Sequence, residues 1–355
     1  MKVLILGVNG FIGSALTRRI LSDTTWSVCG VDLHDFRLAT ALDHPRMRFL
    51  KADLTQDRGL IDSLIPACDV VLPLAAYALP ASYIKDPLGT FELDFEENLR
   101  IVRRVAEAGA RLIFPSTSEV YGMCEDSLFD EDTSRLVLGP IAKERWIYAC
   151  SKQLLDRVIW AMGAQGLNFT LFRPFNWFGP SLDDIRQSAP GSARVTTQFL
   201  GHLLRGEPIP LVNGGAQQRS FTYVDDGIDG LMRILQNPDG LADRAIFNLG
   251  NPDNCVSIRE MATIMIEELS AFPGFSGLSG DAVMHELAGS AYYGAAYDDA
   301  VHRRPSIENA LRLGWSPKVP LRQGLRLVIA DALASGRWRP KDDAPPTADA
   351  LKAYA

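Results

Sequence analysis

The chain has 355 residues, of which 47% are hydrophobic and 22% charged, and its formal net charge at pH 7 is -7. This composition is that of an ordinary globular protein, long enough for one large domain or two modest ones. The negative charge argues against a nucleic-acid-binding protein that works by neutralising phosphates.

Membrane, disulfide and metal features are not predicted either. No apolar run reaches the roughly 18 residues that a membrane span needs, and the glycines after the apolar N-terminus do not form a signal-peptide cleavage site. The five cysteines are odd in number and scattered, which suits reduced thiols and gives no metal-ligand spacing. We therefore expect a cytoplasmic protein without a metal, a membrane partner or a nucleic-acid partner.

The first predicted elements form a dinucleotide-binding unit. Residues 2–6 are typical of a parallel strand buried on both faces, and a Gly-x-x-Gly-x-x-Gly motif and a helical pattern follow. In order, the glycines permit a tight turn, a close backbone approach to a pyrophosphate and close helix–strand packing, and the helix start attracts the phosphates. The predicted cofactor contacts here are Gly7, Gly10, Phe11, Ile12 and Gly13.

Acidic residues end the next two predicted strands. The second strand ends at Asp32, where an acid accepts hydrogen bonds from the adenosine ribose and repels an added phosphate, which selects NAD over NADP. The alternative for Asp32 is a carboxylate that caps a loop. The third strand ends at Asp53 and Leu54, which we expect beside the adenine, and a fourth strand runs from Asp69 to about Ala76.

A long helical pattern from Pro87 to Ala110 leads into a fifth strand. The alternation predicts an α/β fold, a Rossmann-like doubly wound parallel sheet with ligands at the carboxyl ends of its strands. We assign residues 1–176 to this NAD-binding domain, with about 219–250 returning to it, and 177–338 mainly to a smaller C-terminal substrate-binding α/β domain. Two segments are predicted to lack regular structure, the Gly-rich stretch 274–289 and a flexible tail at 339–355.

Two short motifs indicate catalysis. Thr117, Ser118 and Glu119 directly follow the fifth strand, where the alternative is a helix N-cap made from Ser or Thr. Tyr148 and Lys152 lie four residues apart, on one face of a predicted helix. An ammonium beside a phenol favours the phenolate, so Lys152 is expected to lower the pKa of Tyr148 and make it a base. The alternative is an ordinary amphipathic helix with a surface lysine.

Several long strings carry a resemblance to a known family. FELDFEENLRIVR, FPSTSEVYGMC, RWIYACSKQLLDRVIW and TLFRPFNWFGP resemble the extended short-chain dehydrogenase/reductase family of sugar-nucleotide epimerases and dehydratases, over roughly residues 1–335. Within that family they are most similar to the UDP-glucuronate decarboxylases of polymyxin resistance and lipid A modification. The resemblance implies an NAD-dependent nucleotide-sugar oxidoreductase that turns UDP-glucuronate into a UDP-4-keto-pentose, CO₂ and NADH. It also implies a homodimer or higher homo-oligomer.

The same resemblance implies roles for individual residues. The implied catalytic set is Thr117, Ser118, Glu119, Tyr148, Lys152 and Arg303, in which Arg303 is a proton donor. The implied contacts with the sugar nucleotide are Ala78, Tyr83, Arg145, Asn176, Arg194, Gln218, Arg219 and Tyr297. Arg145, one helical turn before Tyr148, can place a guanidinium near a sugar carboxylate. The alternatives are a solvated surface charge for Arg303 and interface or core aromatics for Tyr83 and Tyr297.

Three other functions stay open at this stage. A UDP-xylose or UDP-apiose/xylose synthase would reduce the ketone again, and a 4-epimerase would keep the carboxylate. A nucleotide-binding regulator would have kept the fold and lost turnover. The chain differs from the decarboxylase pattern at Pro210, where a lysine is expected, and at Leu79, which replaces a threonine. Because it begins at the first predicted strand, formyl transfer is not expected of it.

Overall fold

The structure is a computed structural model that describes residues 1–187, 189–278, 283–293 and 298–339. Tyr297 and nearly all of the predicted tail, from residue 340 onward, lie outside the described residues. The strands are β1 (Lys2–Leu6), β2 (Ser27–Asp32), β3 (Met47–Lys51), β4 (Val70–Pro73), β5 (Arg111–Pro115), β6 (Phe169–Pro174), β7 (Trp177–Phe178), β8 (Ile209–Val212), β9 (Gln218–Ser220), β10 (Thr222–Tyr223), β11 (Ala245–Leu249), β12 (Cys255–Ser257), β13 (Met284–Leu287) and β14 (His302–Arg303).

Helices connect most of these strands. They are α1 (Phe11–Asp23), α2 (Arg58–Leu64), α3 (Pro80–Lys85), α4 (Pro87–Phe91), α5 (Asn98–Ala108), α6 (Trp146–Gly163), α7 (Val195–Leu204), α8 (Val224–Gln236), α9 (Ile258–Ser270), α10 (Gly289–Tyr293), α11 (Glu308–Arg312) and α12 (Leu321–Ser335). A π-helical segment, Glu92–Glu97, joins α4 to α5, so the predicted long helix has an irregular middle. Among the described residues, no helix combines the length and apolar character that a membrane crossing requires.

Seven parallel strands form the central sheet, in the order β3–β2–β1–β4–β5–β6–β11. This confirms the predicted doubly wound α/β fold. Both faces of β1 are buried: Val3 and Ile5 belong to the core that contains α1 and α8, and Leu4 and Leu6 to the core that contains α2, α5 and α6. The strand order reverses beside β1, so a ligand cleft is expected at the carboxyl ends there.

The second half of the chain adds small sheets over the carboxyl edge. β9 pairs antiparallel with β12 and parallel with β14, while β7 pairs with β10 and β8 with β13. β13 lies in the stretch predicted as a loop, and that prediction is wrong there because pairing with a distant strand orders it. β11 joins the central sheet, and one hydrophobic core contains residues from both halves of the chain. The structure therefore gives no separate core for each half, and the predicted domain boundary at residue 176 stays a prediction.

Candidate active site

The glycine motif forms a tight backbone cradle at the start of α1. A Cβ on Gly7 would lie 2.7 Å from the Ala75 nitrogen, and one on Gly13 would lie 2.5 Å from the Gly7 carbonyl oxygen. Gly7 also has a φ of +88°, in the left-handed region that favours glycine. The N–H groups of Phe11 and Ile12 begin the helix and have no acceptor within it. This bare, electropositive cradle fits a dinucleotide pyrophosphate.

Asp32 ends β2, and Asp53 lies two residues beyond the end of the neighbouring strand β3, at the same edge of the sheet. The Asp32 carboxylate accepts hydrogen bonds from the backbone N–H of Asn9 at 2.9 Å and of His34 at 3.2 Å. Asp32 therefore does cap the glycine loop, as its alternative reading predicted, while lying where a ribose contact is expected. Asp53 accepts from the Thr55 hydroxyl at 2.7 Å and the Thr55 N–H at 2.8 Å, and these bonds hold its pKa below the usual range. Its neighbour Leu54 is half-buried.

Tyr148 lies buried on α6 at the centre of the site. The Thr117 side chain lies near its phenol and lowers the pKa of Tyr148, against the larger effect of burial. Thr117 also accepts from the Glu119 N–H at 3.2 Å, so it caps the 3-10 turn Ser118–Tyr121 while contacting Tyr148. The Tyr148 ring stacks on the buried ring of Tyr83, with centroids 4.5 Å apart and planes 6° apart. Tyr83 is thus a core aromatic that forms one wall of the site.

The structure corrects the predicted effect of Lys152 on Tyr148. The Lys152 ammonium nitrogen lies 3.3 Å from a carboxylate oxygen of Asp94 and 4.9 Å from the centroid of the Phe114 ring. A buried carboxylate therefore balances its charge. Burial, followed by the charges of Asp94 and Glu119, holds the pKa of Tyr148 well above its usual range. The expectation of a lowered pKa is wrong for the free enzyme, because spacing along a helix does not show the acid that faces the lysine.

Glu119 lies between two buried guanidinium groups. Arg145 donates to its two oxygens at 3.0 and 3.3 Å, and Arg303 donates at 3.1 Å. Burial alone would raise the pKa of Glu119, but the two guanidiniums overcome this effect and hold it below its usual range. Glu119 is therefore ionised at neutral pH. Arg303 is only 4% exposed, which excludes the alternative of a solvated surface charge.

Asp299 belongs to the same network and is not among the predicted site residues. One of its oxygens accepts from Arg145 at 3.1 Å and from Arg303 at 2.8 Å, and the other lies 2.7 Å from Arg219. Pairing of β9 with β14 sets Arg219 opposite Arg303. The partners of Asp299 come from three separate chain segments.

A cavity of about 180 Å³ opens beside this network. The predicted residues that line it are Glu119, Arg145, Asn176, Arg194, Arg219 and Arg303. Arg194 also pairs with Asp183 at 2.7 Å. Gln217 lines the cavity, whereas the predicted Gln218 is exposed. Successive side chains at a strand point to opposite faces, so Gln217 and Arg219 share the face toward the cavity, and the contact of Gln218 with the substrate stays a prediction.

The remaining predicted residues lie at the edges of the site or beyond it. Ser118 is buried at the start of its 3-10 turn, and Ala78 is exposed in the segment between β4 and α3. Asn176 has a φ of 38° and donates to the Ser220 carbonyl at 3.0 Å. In the described part of the chain, no group of three or more His, Cys, Asp or Glu side chains is arranged to hold a metal ion.

Comparison with known proteins agrees with this geometry. Residues 3–250 match the model of the NAD dependent epimerase/dehydratase family. The crystal structure of PbgP3 protein from Burkholderia pseudomallei is 51% identical, over 93% of this chain and 96% of that one, with a TM-score of 0.83. The crystal structure of DesIV, a dTDP-glucose 4,6-dehydratase from Streptomyces venezuelae with NAD and TYD bound, is 23% identical. The match covers 94% of this chain and 97% of that one, with a TM-score of 0.78.

A further solved structure has the same fold. UDP-glucuronic acid 4-epimerase from Bacillus cereus, in complex with UDP-glucuronic acid and NAD, is 22% identical over 93% of this chain and 98% of that one, with a TM-score of 0.73. The family match covers well over half of the chain. The chain therefore belongs to the NAD-dependent epimerase/dehydratase family. It is an enzyme of that family, and its cofactor is NAD.

Proposed function

We propose that this enzyme oxidises C4 of UDP-glucuronate and then removes the C6 carboxylate as CO₂, releasing a UDP-4-keto-pentose and NADH. The observation that carries the proposal is the convergence of Arg145 and Arg303 on Glu119, next to the Thr117–Tyr148 pair. Oxidation at C4 needs only a base and NAD, which accepts the hydride when bound. The extra charged groups suit a substrate that carries its own carboxylate.

The chain's residues divide the chemistry into two steps. Tyr148 first loses its own proton to solvent, which the positive charge of bound NAD would favour, and the phenolate then takes the proton of the C4 hydroxyl. The Thr117 hydroxyl holds the C4 oxygen. The resulting 4-ketone lies beta to the carboxylate, so the electrons of the broken C5–C6 bond settle as an enolate when CO₂ leaves. Arg303 then returns a proton to C5. One hydride transfer thus makes a strong carbon–carbon bond easy to break.

Charge in the site supports the second step. Arg145 and Arg303 are buried guanidiniums, the type of group that binds a carboxylate in a charge-assisted and often bidentate manner. Glu119 is ionised, so it is not a proton donor in the free enzyme. As an anion beside the substrate carboxylate, it favours the loss of that charge as neutral CO₂, and Ser118 orients the departing group.

The cavity beyond the network suits the nucleotide diphosphate. Arg194 and Arg219 offer guanidiniums along its lining, and Asn176 offers an amide. A protein of the same fold, the Bacillus cereus 4-epimerase, is described with UDP-glucuronic acid and NAD. The resemblance to the UDP-glucuronate decarboxylase domain of bifunctional polymyxin-resistance proteins supports the same substrate and a role in lipid A modification.

A Glu119→Gln variant tests the proposal. It keeps the shape of the side chain and removes the charge, so we expect NAD binding within twofold of the wild type and a loss of CO₂ release of at least 100-fold, the scale of one charged catalytic group. Glu125→Gln, an exposed acid in the same segment, is the matched control and should release CO₂ normally. Unchanged CO₂ release by Glu119→Gln would refute the proposed role.

A further inference from the structure

Asp94 is a buried carboxylate at the catalytic centre to which the chemistry above gives no role. It is 0% exposed, and it lies in the π-helical segment Glu92–Glu97. One oxygen lies 3.3 Å from the Lys152 ammonium nitrogen, which is itself 1% exposed. The other oxygen accepts a hydrogen bond from the Tyr77 N–H at 3.1 Å. A buried charge of this kind is costly unless it is paired.

The backbone is shaped locally to bring Asp94 to this point. π-helical turns are rare, and they occur frequently at functional sites inside α-helices. The Asn98 side chain donates to the Leu93 carbonyl at 2.9 Å, so it satisfies a carbonyl oxygen inside the widened turn. Glu97, in the same segment, faces away from the site and pairs with Arg58 at 2.9 Å and Arg100 at 2.6 Å.

Asp94 therefore links three parts of the site. It holds the lysine of the Tyr148–Lys152 pair, and through the Tyr77 N–H it holds the segment that follows β4. That segment contains Ala75, which packs against Gly7 of the nucleotide cradle, and Ala78, a predicted sugar contact. We propose that Asp94 is a positioning residue that fixes Lys152 and sets how much of the lysine's charge acts on Tyr148.

The electrostatic environment agrees with this role. The charged and titratable groups that face Tyr148 and Lys152 from the neighbouring elements are Tyr83, Asp94, Glu119, Asp156 and Arg194. After burial, the Asp94 charge is the largest contribution that raises the pKa of Tyr148. Removing that charge lowers the pKa of Tyr148, so the phenolate forms at lower pH. The inference rests on the oxidation step of the proposed function and not on decarboxylation.

The first test is the pH profile of NADH formation by Asp94→Asn at saturating NAD and UDP-glucuronate. The pH at which kcat reaches half of its maximum should fall by about one unit, since a charge near a titrating group shifts its pKa by one unit or more. Maximal kcat should also fall, because Lys152 loses its anchor. Asp94→Glu, which keeps the charge, should leave the half-maximal pH within a few tenths of a unit of the wild type.

Glu97→Gln is the matched control, because it removes a buried, paired charge from the same π-helical segment. It should leave the half-maximal pH unchanged. An unmoved profile in folded Asp94→Asn, or an equal shift in Glu97→Gln, would overturn the inference. If the wild-type enzyme forms no NADH from UDP-glucuronate, the proposed function fails instead, and the ion pair is then tested by stability alone.

Thermal unfolding supplies that second test and does not depend on turnover. Lys152→Met leaves Asp94 buried without its counter-charge, so its unfolding midpoint should fall as the pH rises above the range in which Asp94 protonates. The double variant Asp94→Asn, Lys152→Met should unfold at a higher temperature than Lys152→Met alone, even if the single Asp94→Asn variant does not fold. Additive losses in the double variant would contradict the pairing.

Discussion

The hydroxyl of Tyr148 is the proton acceptor on which the proposed oxidation depends. Tyr148→Phe removes that hydroxyl and keeps the ring that stacks on Tyr83. We expect NADH formation to fall by roughly 10² to 10⁴, the usual contribution of a positioned base, while the dissociation constant of NAD changes little. Rapid-mixing measurement of NADH absorbance checks this. Tyr223→Phe, a buried tyrosine on β10, is the control, and normal NADH formation by Tyr148→Phe would refute the role.

Single residues were predicted best where a motif is local in the chain. Thr117, Tyr148 and Lys152 follow from their spacing and from the strand that precedes them, and the structure brings them together. Asp94 and Asp299 did not follow, because Asp94 meets Lys152 only across the folded chain, and two of the three arginines around Asp299, Arg145 and Arg219, are likewise distant in the sequence. Gln217, which lines the cavity, was not predicted, since which of two neighbours on a strand faces inward depends on the folded sheet.

The glycine cradle at the start of α1 is an element whose packing can be tested directly. Gly13→Ala would place a Cβ 2.5 Å from the Gly7 carbonyl oxygen, so α1 must shift away from β1 and the cradle must widen. We expect the dissociation constant of NAD to rise at least tenfold, as measured by isothermal titration calorimetry. Gly59→Ala, on α2, where an added Cβ meets open space, should bind NAD normally. Equal affinities for all three proteins would contradict the close packing.

Glu131 connects the loop after β5 to β11 and makes stability depend on pH. It is 8% exposed, and one of its oxygens accepts from the Asn248 N–H at 2.6 Å. Burial raises its pKa from 4.5 to about 7. Because the folded-state pKa is the higher one, this group stabilises the fold below about pH 4.5, and the contribution is lost as the pH rises through 7. The free energy of unfolding that is lost over this pH range is roughly 3 kcal/mol, since each unit of pKa difference contributes about 1.4 kcal/mol.

Replacing Glu131 should remove this pH dependence of the stability. Glu131→Gln is neutral at every pH, so its stability relative to the wild type should rise by a few kcal/mol between pH 5 and pH 8. Urea unfolding at the two pH values measures the difference. The exposed Glu125→Gln is the control and should follow the wild type. Parallel pH dependences for Glu131→Gln and the wild type would show that Glu131 is not the responsible group.

Elements were predicted from the sequence where hydrophobic periodicity is strong. The five strands of the first half and the helix that contains Tyr148 follow from apolar runs and 3.6-residue spacing. The π-helical segment at Glu92–Glu97 did not, because its residues keep a helical pattern while the backbone widens. β13 was missed as well, since a short strand in a Gly-rich stretch becomes ordered only through its distant partner β8.

At the scale of the whole molecule, the homodimer that the family resemblance implies can be tested through α6, the helix that carries Tyr148. Cys150, Leu154, Arg157 and Ala161 form an exposed face of this helix, and Leu154 is 46% exposed. If this face meets a second copy, Leu154→Glu buries a charge at the interface and should convert a dimer to a monomer in light scattering after size exclusion. Leu88→Glu, an exposed leucine on α4, is the control. An unchanged mass for Leu154→Glu would exclude α6 as the interface.

The most direct measurement uses UDP-glucuronate labelled with ¹³C at C6, incubated with the purified protein and NAD. NADH absorbance, labelled CO₂ and the mass of the nucleotide sugar are followed together. We predict equal amounts of NADH, labelled CO₂ and UDP-4-keto-pentose. Labelled CO₂ without NADH would contradict the proposal, because the ketone would then be reduced again on the enzyme. NADH without labelled CO₂ would contradict it as well, because the carboxylate would then survive the oxidation.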